Sequence, residues 1–326
     1  MIQDSFGRAH DYLRISLTDV CNFRCTYCMP KEDMQFMPSS KLMQASEIDT
    51  IVKEFVKLGV NKIRLTGGEP LARKDLADIL KKLAVYPVEL TLTTNGYLLD
   101  RHLPDLLSAG VKSINISLDS LQAERFYKIT QRNYFNQVWN NVLLAVKSGL
   151  HVKINTVIMQ GVNEDEVLDF VQLTKDLPIH VRFIEFMPFD KNDWNQSKVF
   201  TYQDILNTVS EKFEYLPIKG HLSDTSKKFK ILNHQGTFAV ISTMTAPFCA
   251  GCNRMRLTAD GKMKNCLFSN GEANLLSALR NQEDIVPIIK QCVWEKKEAL
   301  GGQLDKNYQK IDIKKLNNRS MIAIGG

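Results

Sequence analysis

No run of apolar residues in this chain reaches the length needed to span a bilayer, and Met1-Ile-Gln-Asp-Ser-Phe6 lacks a signal-peptide pattern. Both absences point to a cytoplasmic protein with no membrane partner. Blocks of like charge are also missing. The 42 basic and 36 acidic side chains leave a mild +6, spread along the chain. It is not blocked as in a nucleic-acid arm, and an anionic small molecule accounts for it as well as a nucleic acid does. There is no low-complexity tract, no long internal repeat and no glycine-rich P-loop ending in Gly-Lys-Ser/Thr, so any nucleotide must be held another way. No histidine follows His234, which leaves a C-terminal Cys/His zinc site without an imidazole. In a reducing compartment the 7 cysteines read as metal ligands or core thiols before they read as disulfides.

The cysteines that are present fall in two trios. Cys21, Cys25 and Cys28 have the spacing C-x3-C-x2-C, and Cys249, Cys252 and Cys266 have C-x2-C-x13-C. A structural zinc or an ordinary electron-transfer cluster takes about four protein ligands. Three thiolates leave one metal position open, and an open position is where chemistry occurs. Cys292 shares helical spacing with Ile285, Ile288 and Ile289, so it is expected as a core thiol rather than a fourth ligand. The competing reading is a zinc-stabilised nucleic-acid module with Cys292 completing the second site.

Length allows one large α/β barrel or two medium domains. Through residue 187 the chain keeps a βα beat, with strands expected at 12–19, 62–66, 88–94, 113–119, 152–159 and 181–187. Helical patterns between them imply parallel strands joined by crossovers. Each strand alternates: Arg14 and Ser16 oppose Ile15 and Leu17, Arg64 opposes Ile63 and Leu65, and Thr93, Asn115 and Lys153 fall on the same polar side. A parallel sheet covered on both faces should be apolar throughout. One polar face therefore predicts an incomplete, six-stranded parallel βα barrel over residues 1–187 whose lumen holds ligands. Residues 188–326, with a capping box at Thr201 and Asp204 and a hairpin around 233–236, are expected as a smaller module closing one side of the barrel. Buried cations such as Arg14, Arg64 and Lys153 call for a polyanion in the lumen.

The first trio, the Gly67-Gly68-Glu69-Pro70 turn after the second strand, the run Cys252-Asn-Arg254-Met-Arg256 and the terminal Ile324-Gly-Gly326 together resemble the GTP 3′,8-cyclase family of molybdenum cofactor biosynthesis, within the radical S-adenosylmethionine (SAM) superfamily. The resemblance implies two 4Fe–4S clusters, one on Cys21, Cys25 and Cys28 and one on Cys249, Cys252 and Cys266 in the C-terminal module. It implies SAM against Tyr27, Gly68, Ser117 and Met187. It implies GTP as substrate against Arg14, Arg64, Thr93, Lys153, Arg254, Met255 and Arg256, with the tail Gly325-Gly326 reaching into the lumen. An electron donor and a downstream enzyme that takes the product, forming the cyclic pyranopterin, are the implied partners, and the protein would be a monomer or homodimer. A radical SAM enzyme acting on a peptide is the runner-up, but a peptide leaves the basic lumen unexplained.

Overall fold

The computed structural model describes residues 1–29, 36–190, 192–305 and 307–325. The six expected strands are present as β1 (Tyr12–Ser16), β2 (Lys62–Thr66), β3 (Glu89–Thr94), β4 (Ser113–Ser117), β5 (His151–Ile158) and β6 (His180–Glu185), paired in parallel in chain order. Amphipathic helices form the crossovers: α1 (Ala45–Lys57), α2 (Leu76–Leu83), α3 (Leu99–Ser108), α4 (Ala123–Thr130), α5 (Phe135–Lys147) and α6 (Val167–Asp176). In α1 the side chains Ile48, Ile51, Val52 and Phe55 are buried at helical spacing, and Gln44 with Glu47 closes a capping box at its start. Leu13, Ile15, Ile63, Leu65, Leu92 and Ile114 meet these helices on the apolar side of the sheet and are almost wholly buried.

The C-terminal part departs from expectation. It is not a module laid against one side of a six-stranded barrel, because its strands extend the same sheet at both ends. β7 (Tyr215–Ile218), β8 (Lys227–Ile231) and β9 (Thr237–Ile241) follow β6, whereas β10 (Arg254–Leu257), β11 (Lys262–Lys264) and β12 (Ala273–Asn274) precede β1. β9 and β10 run parallel to their neighbours β6 and β1. A continuous parallel run of strands thus carries short antiparallel ribbons at its edges, twelve strands in all among the described residues. The sheet curls. Flat, β1 and β6 would lie about 24 Å apart at about 4.8 Å per strand, yet Arg14 of β1 and Arg182 of β6 line one cavity.

Two sequence features of this region hold. Thr201 caps α7 (Tyr202–Ser210), its hydroxyl accepting from the Asp204 amide while the Asp204 carboxylate accepts from the Thr201 amide. The hairpin of β8 and β9 forms in the anticipated place. Among the described residues no helix is long and apolar enough to cross a membrane.

Glu185, at the end of β6, joins the two parts. Fully buried, it accepts from the amides of Tyr202 at 2.8 Å, Met244 at 2.7 Å and Thr245 at 3.0 Å, and from the Thr245 hydroxyl. Burial raises its pKa although these donors stabilise the anion. Glu185→Ala strands several buried donors and is expected to lower unfolding stability by about 3 kcal/mol. Denaturant titration of the cluster-free protein checks this, and a loss below about 1 kcal/mol would contradict it.

Candidate active site

The first trio occupies the loop after β1, at the C-terminal end of the strands. Amides of Cys28 and Met29 donate to the Cys25 carbonyl at 3.0 and 2.7 Å, which folds the loop into a tight turn. Beneath it lies the glycine turn. The Gly68 amide donates to the Thr18 carbonyl at 2.6 Å and that of Glu69 to the Val20 carbonyl at 2.8 Å. A Cβ on Gly68 would come within 2.4 Å of the Val20 oxygen, a backbone atom that cannot step aside. The missing side chain here lets the turn support the cysteine loop itself.

Buried carboxylates surround this end. Glu69 accepts from the amides of Leu71 and Asn95 and from the Thr94 hydroxyl, at 2.7–2.9 Å. Asp119 accepts from the Tyr27 hydroxyl at 2.7 Å and from the Val157 amide at 2.9 Å. Burial raises Glu69 to about 7 and Asp119 to about 6, despite these donors. The three thiols are themselves shifted upward, Cys21 to about 11 and Cys28 to about 12, by burial and then by neighbouring anions. Thiols in such a place ionise only against a bound cation. Together with Tyr27, Gly68 and Ser117, all three line one cavity. The trio brings three thiols and no fourth thiol or imidazole among the lining residues. An iron–sulfur cube spaces its thiolates over separate irons, so the donor set fits a cluster better than zinc.

The second trio lines the middle of the lumen. Cys249, Cys252 and Cys266 share a cavity with Arg14, Thr93, Asn115, Asn155, Arg182 and Arg256. Here the surroundings are cationic. Burial alone would raise the Cys252 thiol, but Arg254 and Lys296 bring it down to about 6. Cys292 lies on α9 (Ile285–Trp294), the helix after α8 (Leu275–Arg280), 7% exposed in the apolar core, and is a core thiol as its helical spacing implied.

At the N-terminal end of the strands the lumen opens into a basic mouth lined by Arg14, Lys62, Arg64, Lys153, Arg182 and Arg254. Burial followed by mutual repulsion lowers Lys153 to about 8 and Arg182 to about 9. Tyr12, which accepts from Arg64, falls to about 7: burial opposes the shift, and Arg14, Arg64 and Lys62 outweigh it. Nε of Arg14 and Oδ1 of Asn115 are buried without a partner among the described residues, the signature of a polar ligand's place. Arg182 and Lys62 escaped the reading of the sequence as site residues. Strand parity carries the signal for Arg182, since it pairs with Asn155 in register.

Two assignments need adjusting. Met255, alternating with Arg254 and Arg256, turns to the other face of β10 and is fully buried in the core, so its side chain is not among the lumen groups. Met187 lines the middle cavity with the second trio, beyond the lining of the cavity around the first. The tail enters the lumen as helix α10 (Met321–Ile324), with Met321 lining both cavities and Gly325 accepting from Arg256. A Cβ on Gly325 would meet Thr66 Oγ1 at 2.5 Å, and its φ of +81° also favours glycine. Gly326 lies outside the described residues.

A curled parallel sheet with three cysteines beyond its first strand defines the radical SAM class. Residues 15–174 match the Radical SAM superfamily and residues 179–301 the family described as Molybdenum Cofactor Synthesis C. In fold, the chain is similar to Streptococcus suis SuiB bound to S-adenosylmethionine, with a TM-score of 0.63 at 14% identity over 97% of this chain and 74% of that one. In sequence it is 46% identical to the mitochondrial GTP 3′,8-cyclase of Arabidopsis thaliana, over 100% of this chain and 84% of that protein. It is 38% identical to the GTP 3′,8-cyclase of Listeria monocytogenes, over 100% and 99%. The human molybdenum cofactor biosynthesis protein 1 is 45% identical over 99% of this chain, which spans 51% of that longer protein. The chain belongs to the GTP 3′,8-cyclase family of radical SAM enzymes, which acts at the first step of molybdenum cofactor biosynthesis.

Gly68→Ala tests the support given to the cysteine loop. The variant is expected to fold but to lose most of the iron bound by the first trio, because Val20 and hence Cys21 must move. Iron analysis after anaerobic reconstitution reads the loss, and full iron retention would contradict it.

Proposed function

We propose that this chain is a GTP 3′,8-cyclase whose first 187 residues furnish the SAM end of the lumen and whose remainder furnishes the guanine end. The observation that supports this best is the single lumen running from the first trio, past the second, to the basic mouth, with cavities that share lining residues. Cys21, Cys25 and Cys28 hold one 4Fe–4S cluster, with Tyr27, Gly68 and Ser117 beside SAM. Cys249, Cys252 and Cys266 would hold a second, on the guanine side of the lumen. When bound, the first cluster with SAM supplies a hydrogen-abstracting radical.

The chain's own residues position the reactants. Arg14, Arg64 and Lys153, joined by Lys62 and Arg182, grip the triphosphate at the mouth. Thr93, Arg254 and Arg256 hold the nucleoside, and Met187 fills the lumen where the two ligands meet. This fixes the ribose 3′ hydrogen toward the SAM end and guanine C8 near C3′. Loss of that hydrogen, bond formation from C3′ to C8, and uptake of one electron and one proton give 3′,8-cyclo-7,8-dihydro-GTP. Met321 and Ile322 border the cavities, with Gly325 held by Arg256, and keep water from the reacting atoms. The electron comes from a cytoplasmic reductant, and the product passes to the enzyme that forms the cyclic pyranopterin.

An anaerobic assay with SAM, reductant and GTP tests the proposal: 5′-deoxyadenosine and a cyclised nucleotide should form together. Deoxyadenosine without consumption of GTP would reject it. Cys25→Ala should abolish both products and cut iron by about half, since the second trio is untouched.

GTP binding should also take up protons near pH 8. In the free protein Lys153 titrates at about 8 and Tyr12 at about 7. Phosphate beside them favours the protonated form of each, raising both. These two groups therefore make affinity fall as pH rises from about 7 through 8. Calorimetry in buffers of different ionisation enthalpy reads the uptake, and Lys153→Arg should shrink it. Proton release on binding would contradict the assignment.

A further inference from the structure

Lys296 follows α9 and is 3% exposed. Its ammonium donates to Sγ of Cys252 at 3.3 Å and to the Arg254 carbonyl at 2.9 Å. Among the described residues no carboxylate pairs with it. A lysine this deeply buried loses solvation that one carbonyl does not replace, and the cost is met only if a negative group stands beside it. That group is the Cys252 sulfur, which also accepts from Arg254 at 3.2 Å. The other sulfurs of the chain are served differently. Cys249 accepts from the Leu300 backbone amide at 3.4 Å. Cys21 accepts from the Phe23 amide at 3.4 Å and faces the Asn95 amide group at 3.9 Å. Glu69 acts electrostatically on Cys21, and Asp119 on Cys25. One trio stands among carboxylates and the other among cations.

We propose that Lys296 is a positioning residue for the second cluster, a fixed positive charge on its Cys252 ligand that holds the cluster's reduction potential above that of the first. The inference rests on the proposed assignment of a 4Fe–4S cluster to Cys249, Cys252 and Cys266. Reduction makes a cluster one unit more negative. A cation hydrogen-bonded to a ligand sulfur stabilises that added charge and raises the potential, whereas buried carboxylates lower it. The contrast suits the division of labour. The cluster that must cleave SAM needs a strongly reducing potential, and the cluster that binds a purine does not. Lys296 holds the charge from outside the lumen, so GTP binding does not displace it as it could displace Arg254.

The test is a redox titration of the reconstituted holoenzyme followed by electron paramagnetic resonance. Lys296→Met, Lys296→Gln and Lys296→Arg are compared with the unmodified protein. SAM perturbs the first cluster's signal and leaves the second's, which tells them apart. In Lys296→Met and Lys296→Gln the reduction equilibrium of the second cluster should fall at least tenfold, about 59 mV for one electron. The first cluster should stay in place, and Lys296→Arg should recover most of the shift. Loss of the second cluster from Met and Gln, with retention in Arg, would also support a role for the charge. A second-cluster potential that moves less than threefold in Met, an equal shift of both clusters, or loss of the cluster from all three variants would overturn the inference. Iron for only one cluster in the unmodified protein would instead remove the underlying assignment.

Discussion

The parallel ladder between β1 and β10 is the contact on which the site depends. It sets Tyr12 against Arg254, Leu13 against Met255, Arg14 against Arg256 and Ile15 against Leu257. These pairs bring a strand from the far end of the sequence beside the first strand and fix which of its residues face inward. Because side chains alternate, the register that buries Met255 with Leu13 turns Arg254 and Arg256 into the lumen beside Arg14. The same ladder leads from Cys252 into the barrel, so two cysteine trios separated by more than two hundred residues open on one space. A slip of one residue would exchange core for lumen along β10.

That register gathers cations without balancing them. Arg14, Arg64, Arg182, Arg254 and Arg256 converge with little carboxylate nearby. Burial and mutual repulsion lower Arg182 and Arg256 to about 9 and lower Arg14 as well. The fold tolerates this because the apolar layer of strands and helices on the other face is extensive and because Tyr12 and Asn155 take some of the donors. The free lumen is thus an electrostatically unfavourable state that an anionic ligand would relieve; in the proposed placement of GTP, binding energy is localised at the phosphates, remote from the reacting carbon. The carboxylates lie at the opposite end, beside the first trio, so the lumen has an axis of charge as well as of shape.

Much of this was legible in the residues. Period-two alternation exposed the polar face, and the six strands lie within a residue or so of their expected starts, because strands with one apolar face have little freedom of register. The cysteine spacing picked out the two trios that line the lumen, and the helical spacing around Cys292 marked a thiol that lies in the core. The helix α4 is short and opens at Gln122 without a side-chain cap, so its start carries no signal in the sequence. β10 and β11 were missed for a different reason. Residues 254–257 and 262–264 are too few to show a period, and the arginines of the first read as a ligand loop; only pairing with β1 makes them strands. Arg182 was open to the parity reasoning applied to Lys153. Met255 was placed in the lumen by family resemblance, which does not say which way a side chain turns; the alternation in β10 does. Glu185 shows the converse limit, since a polar residue at a strand end binds the two halves of the chain together.

The central claim is that the lumen presents the 3′ hydrogen of GTP to the SAM end while the guanine rests at the second trio. The most direct measurement uses GTP deuterated at C3′, incubated anaerobically with the reconstituted enzyme, SAM and reductant, with the deoxyadenosine analysed by mass spectrometry. The account predicts one deuterium in 5′-deoxyadenosine and its absence from the 3′ position of the cyclised product. Unlabelled deoxyadenosine formed alongside a cyclised nucleotide would show abstraction from another position, and the geometry assigned to this lumen would be wrong.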